Sequence, residues 1–186
     1  MGRGRAAALA YCETCLWQAR RAGSGPTDAD AIAADVVDLE PLRAYIVSET
    51  GAAWADLSAF EQGYIEAAFF TSESDLDGAY GVPEDSGFDD LHPDAVQDIV
   101  AECDSFLLHG RADVARLVAD GGPRGEYDDA AAGRDYWFTR NGHGVGFWNR
   151  GFTGQAGRAA ARLSAIAATE GETELYAGDD GRIYHA

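Results

Sequence analysis

Lysine is absent from this chain. All 14 basic residues are arginine, against 32 aspartates and glutamates, for a formal net charge of −18 over 186 residues. Basic residues are also missing locally: between Arg43 and Arg111 there are none, while 15 carboxylates fall from Glu49 to Asp104. Such a field repels nucleic acid, anionic membranes and acidic substrates, and attracts cationic surfaces. Cysteine is scarce and odd in number (Cys12, Cys15 and Cys103), which argues against a secreted disulfide framework. Long apolar runs are lacking too, so no stretch approaches the roughly 18 residues of a membrane-spanning helix. The opening MGRGRAAALAYC meets Glu13 before an apolar core forms, and a signal peptide is not expected.

The charge has two readings. Loss of lysine with gain of Asp and Glu is the signature of a salt-adapted or GC-rich genome, in which carboxylates solvate the surface. Alternatively, the carboxylates imitate a phosphate backbone and occupy the site of a DNA-binding protein. The pair Cys12 and Cys15 has the spacing of half a zinc site, but no second CxxC or HxxxH follows. On a helix both would share one buried face, so no metal and no cofactor is expected.

What is present reads as one chain of helices followed by strands. Residues 5–21 suit a helix, closed by GSGP at 23–26, which makes residues 1–25 an N-terminal helix and joint and 26–186 a single acidic domain. Thr27 suits an N-cap, Pro41 opens another helix, and Ser58 with Glu61 forms a capping box before SAFEQGYIEAAFF. The acidic stretch TSESDLDGAYGVPEDSGFDD reads as a long loop. HPDAVQDIVAECDSFLLHG is the clearest helix, with Pro93 in its first turn and Gly110 beyond its end, and RADVARLVADGG adds a short one. From 133 onward, RDYWFT and VGFWN flank Asn141-Gly142 like a β-hairpin. An alanine-rich helix follows, then a second hairpin around Gly178-Asp179-Asp180-Gly181. The expected class is α+β: helices over 27–120, then a β-hairpin–helix–β-hairpin antiparallel sheet over 133–186.

Three sets of residues carry candidate chemistry. On the helix from Pro93, Asp94, Asp98 and Glu102 recur every four residues opposite the apolar stripe. They are spaced about 6 Å apart by the helical rise, comparable to phosphates along one strand. With Glu84, Asp85, Asp89, Asp90 and Asp104 they form the candidate partner-binding face. A basic groove evolved for DNA gains ion release from such a row as it does from phosphates. Second, Glu73 to Glu84 partly matches a calcium loop, through Asp75, Asp77 and Glu84. Glu73 is too long for the first position and Pro83 opposes the exit helix, so a solvated acidic loop is the preferred reading. Third, Arg140 would face His143 across the Asn141-Gly142 turn, making Arg140, Asn141 and His143 a candidate anion or proton site. No Cys or Ser nucleophile with a partner stands beside them, and the glycines read as structural.

The pattern D-x-W-F-T-R-N-G-H-G-x-G-F-W-x-R-G runs from Asp135 to Gly151, and L-Y-x-G-D-D-G-x-I-Y runs from Leu175 to Tyr184. Together with IEAAFFTSESD and ECDSFLLHG upstream, they resemble a family of small, functionally uncharacterised phage and plasmid proteins. The resemblance spans roughly residues 60–186, and the family pattern carries Asp where this chain has Asn149. It implies a mobile-element gene product acting in the host cytoplasm, and it supplies no activity. The expectation is a non-enzymatic protein that binds and blocks a basic, nucleic-acid-binding host complex, such as a CRISPR or restriction complex. The alternatives are a small enzyme or anion-binding protein using Arg140, Asn141 and His143, and a salt-adapted accessory protein.

Overall fold

Local signals set the start of three of the four helices in the computed structural model, which describes residues 53–72 and 81–186. After a short 3-10 turn at Trp54–Asp56, helix α1 spans Ala59–Ser72. Its capping box forms as the sequence predicts: Glu61 N donates to Ser58 Oγ at 3.3 Å, and Ser58 N donates to Glu61 Oε2 at 2.6 Å. A second 3-10 turn, Phe88–Asp90, leads into α2, Pro93–Asp120. There His92 caps with its ring nitrogen, Nδ1 accepting from Asp94 N at 3.2 Å, and Pro93 occupies the first turn, where no N–H is needed. The helices expected within 5–50, the Cys12–Cys15 pair, and Asp75 and Asp77 of the acidic loop lie outside the described residues.

Two sequence expectations are corrected. The helix from Pro93 does not stop at Gly110 but runs 28 residues to Asp120, and Gly121 closes it in the left-handed region (φ 74°). Gly110 sits mid-helix, where Leu163 of the helix packed across it comes to 2.8 Å from the place a Cβ would take. The segment RDYWFTR is not a strand. It lies in helix α3, Asp129–Arg140, capped by Asp128, whose Oδ1 accepts from Ala131 N at 2.7 Å. The antiparallel hairpin expected at Asn141-Gly142 is therefore absent. In its place a turn leads to a 3-10 segment, Phe147–Asn149, and then to α4, Gly154–Thr169.

The C-terminal hairpin does form. Strands β1, Leu175–Ala177, and β2, Ile183–His185, pair antiparallel with Tyr176 opposite Tyr184. Leu91, just before α2, bridges to Ile183, and His92 N donates to Ile183 O at 2.8 Å, so the hairpin is anchored to the start of α2. Among the described residues the class is thus α+β, four helices with one two-stranded sheet.

The core is aromatic. Phe106 of α2 stacks on Tyr136 of α3 with centroids 4.0 Å apart, and Phe60, Tyr64, Trp137 and Phe147 complete the cluster. Tyr136 and Trp137 are adjacent yet both buried. Helix α3 is enclosed by α1, α2 and α4, which blurs the helical period that a one-sided helix would show.

Candidate functional site

The acidic residues divide between surface and interior. Glu84, Asp85, Asp89, Asp90, Asp94 and Asp98 are exposed, and Asp104 is half-buried. Glu84 stands in a turn closed by Ser86 N donating to Pro83 O at 2.9 Å. Around the hairpin tip, Asp179 and Asp180 are exposed as well. That tip is near the start of α2, because the rings of Tyr184 and His92 stack at 4.7 Å. Asp180 accepts from Tyr184 OH at 3.0 Å and Arg182 Nη1 donates to Asp89 O at 2.9 Å, so the hairpin tip and the approach to α2 share one region of the surface although about ninety residues separate them in sequence.

Glu102 is not part of an outward row. Its carboxylate forks onto Arg140 of α3, with Nη1 donating to Oε2 and Nη2 donating to Oε1 at 3.1 Å. Arg140 is 6% exposed at its side chain; its Nε donates to Gly171 O at 2.6 Å and its Nη1 to Tyr64 OH at 3.1 Å. Burial, the largest single effect, opposes the charge on Arg140, but the bond to Glu102, the Glu102 charge and the neighbouring Tyr64 and Tyr136 phenols together outweigh it and the guanidinium is held even more firmly protonated than usual. Tyr64 donates to Glu102 Oε2 at 3.3 Å, and burial lifts its phenol well above the ordinary value, with Arg140 pulling the other way.

His185 of β2 completes this cluster. The Thr173 hydroxyl donates its one proton to Ala186 O at 2.5 Å, so at 3.0 Å from His185 Nε2 it acts as acceptor and His185 Nε2 carries the hydrogen. Burial lowers the His185 pKa; Glu102 raises it and Arg140 lowers it further. Glu102 Oε2 lies 3.5 Å from the same Nε2. A nucleophile–histidine–acid relay needs hydroxyl and carboxylate on opposite ring nitrogens. Here both meet one nitrogen, and the arrangement is a clamp joining β2 to α1, α2 and α3.

Asn141, Gly142 and His143 end α3. Gly142 takes φ 64° and its N donates to Thr139 O at 3.4 Å, while His143 N donates to Phe138 O at 3.0 Å. These are the paired bonds of a Schellman cap, and the His143 ring meets Phe138 edge-on at 5.9 Å in the apolar contact that accompanies it. Asn141 Oδ1 accepts from Thr173 N at 2.8 Å, tying the cap to the strand that follows. Arg140 does not face His143. Asn141 and His143 line an open cleft of about 730 Å³ with Trp137, Glu172 and Glu174, whereas Arg140 points into the clamp. Asp135, fully buried, receives a forked pair from Arg150 and a hydrogen bond from Tyr127 OH at 3.0 Å. Arg150 thus has its carboxylate at Asp135, and Asn149 instead accepts from Gly146 N at 3.1 Å.

Sequence reasoning missed Tyr64, Thr173 and His185. Each stands alone in sequence, and the ion pair that organises them joins positions 38 apart with no local spacing to betray it. Cys103 is buried and burial pushes its thiol up, which makes it an inert core residue. Among the described residues no cluster of His, Cys, Asp and Glu is placed to hold a metal, and no helix is long and apolar enough to cross a membrane. No protein-family model, curated protein or solved structure matches the chain.

Proposed function

We propose that this protein is a non-enzymatic binding protein whose acidic face occupies a basic, nucleic-acid-binding surface of a host complex. A CRISPR or restriction assembly is the natural target for a mobile-element product in the host cytoplasm. One observation carries the reading: exposed Asp94, two residues beyond His92, and Asp180, bonded to Tyr184, flank the His92–Tyr184 stack, so the start of α2 and the hairpin tip bring carboxylates distant in sequence to one place. Glu102 is meanwhile committed to Arg140 and lies 3.5 Å from His185 Nε2, within the clamp that joins β2 to the helices. Asp94 and Asp98 lie one helical turn apart, about 6 Å along the axis. A surface that binds phosphates would release counterions to such a row as it does to DNA.

Capture from host lysate at two salt concentrations, using wild type and the Asp94→Asn/Asp98→Asn variant, tests this. Glu102 stays unchanged because it holds the clamp. The expected result is capture of an identified nucleic-acid-binding complex at low salt, lost at high salt, competed by DNA and reduced in the variant. Capture of no basic partner by wild type overturns it and leaves solvation as the reason for the charge. A second reading rests on the cleft beside Asn141 and His143: a small polar ligand bound there, without help from Arg140. Chemical-shift changes at His143 on adding a candidate ligand are the sign to look for.

A further inference from the structure

The hairpin face beside the acidic residues carries a column of stacked rings. His92 lies against Tyr184 with centroids 4.7 Å apart and 19° between planes, and Tyr184 lies against Tyr176 at 5.6 Å and 23°. The column is fixed from below. Asp180 Oδ2 accepts from Tyr184 OH at 3.0 Å, and Asp180 Oδ1 accepts from Arg182 N at 3.0 Å. Gly178 leaves space for the Tyr184 ring, which a Cβ there would meet at 2.5 Å. Tyr176 ends the column and is 42% exposed. Exposed carboxylates stand along the column: Asp180 at Tyr184, Asp94 two residues beyond His92, and Glu174 two residues before Tyr176; the nearby cation, Arg182, donates from Nη1 to Asp89 O at 2.9 Å.

A ring held this way loses little freedom when something binds to it. Its π face attracts a cation, and the carboxylates attract it further. Arginine suits both at once, since its planar guanidinium stacks on a ring while its edge forks onto a carboxylate; a lysine ammonium is a compact, strongly hydrated charge that gains less from the ring. A nucleic-acid base also stacks on aromatics, but its phosphates would be repelled here. We infer that the His92–Tyr184–Tyr176 column is the docking point for an arginine side chain of the basic protein partner, with its guanidinium laid on Tyr176 and bonded to the adjoining carboxylates. This rests on the acidic face binding a basic surface, and adds which side chain is recognised and where.

Hexa-arginine and hexa-lysine peptides, titrated against the full chain at low salt, separate the two claims. Wild type should bind hexa-arginine more tightly than hexa-lysine. Tyr176→Ala should weaken hexa-arginine about threefold, the scale of an exposed cation–π contact, and leave hexa-lysine unchanged. Tyr176→Leu, which keeps an apolar contact with Tyr184 but has no π face, should behave as Tyr176→Ala does, with folding verified by circular dichroism. Equal loss for both peptides, or no loss for either, overturns the arginine site while leaving the acidic-surface reading intact. If neither peptide binds wild type, both claims fall together.

Discussion

Removing the charge on Glu102 strands Arg140, whose side chain is 6% exposed and would keep only the neutral partners Gly171 O and Tyr64 OH. Losing one partner of a buried pair costs about 3 kcal/mol or more, because the remaining charge is dehydrated and unpaired. Glu102→Leu should therefore destabilise by about that amount. Arg140→Met should cost less, since Glu102 is about one-third exposed at 32% and water can reach it. The double variant removes both charges, and apolar replacement of a buried pair is often close to neutral, so it should be more stable than Glu102→Leu alone. Urea unfolding of the two single variants and the double decides this. A double variant less stable than Glu102→Leu would mean that the residues contribute independently rather than as a pair.

Helices α1 and α3 meet backbone to backbone. A Cβ on Gly63 would stand 2.0 Å from Ala130 O, and one on Gly133 would stand 1.9 Å from Phe60 O. Neither carbonyl can yield without moving a helix, so Gly133→Ala should cost at least about 3 kcal/mol, the upper end for overpacking. At Gly110 the neighbour is Cδ2 of Leu163, 2.8 Å away, the end of a flexible side chain rather than backbone. There a gain of about 1 kcal/mol in helix propensity offsets the crowding, and Gly110→Ala should stay near wild type. Similar denaturation midpoints for both variants would contradict the backbone crossing. The elements differ in how legible they were for the same kind of reason. Ser58 with Glu61, Pro93, and Gly178 to Gly181 act on neighbours within four residues, and each appears in the structure where the sequence places it. Asn141-Gly142 was ambiguous, because a hairpin turn and a helix C-cap both want a glycine at positive φ. The choice depended on what α3 packs against: Tyr136 and Trp137 are aromatic because they fill the core beside Phe106 and Tyr64, not because they pair in a sheet. Asp128 before an alanine-rich turn was the local sign of a helix start that could have redirected the reading.

For the whole molecule, two effects of pH oppose each other. With a net charge of −18 and a sequence pI of about 4.3, acidification from neutrality relieves self-repulsion and favours the compact state. The clamp acts in the other direction. Burial lowers the His185 pKa below its ordinary value of 6.5, so the unfolded chain takes up this proton before the folded one does. The stability tied to neutral His185 is complete above about pH 6.5 and is lost as pH falls from there toward the lowered folded value, with a slope of at most about 1.4 kcal/mol per pH unit for one proton. His185→Gln, which can still donate to Thr173, removes the titration but leaves the net charge above pH 7 unchanged. Between pH 7 and 5, wild type should therefore lose stability relative to His185→Gln. Raising the salt should stabilise both proteins by screening the carboxylates and leave the difference between them in place, because the clamp is buried and the surface charges are not. Parallel pH profiles for the two proteins would show that His185 does not titrate with folding and that surface repulsion alone sets the response to acid.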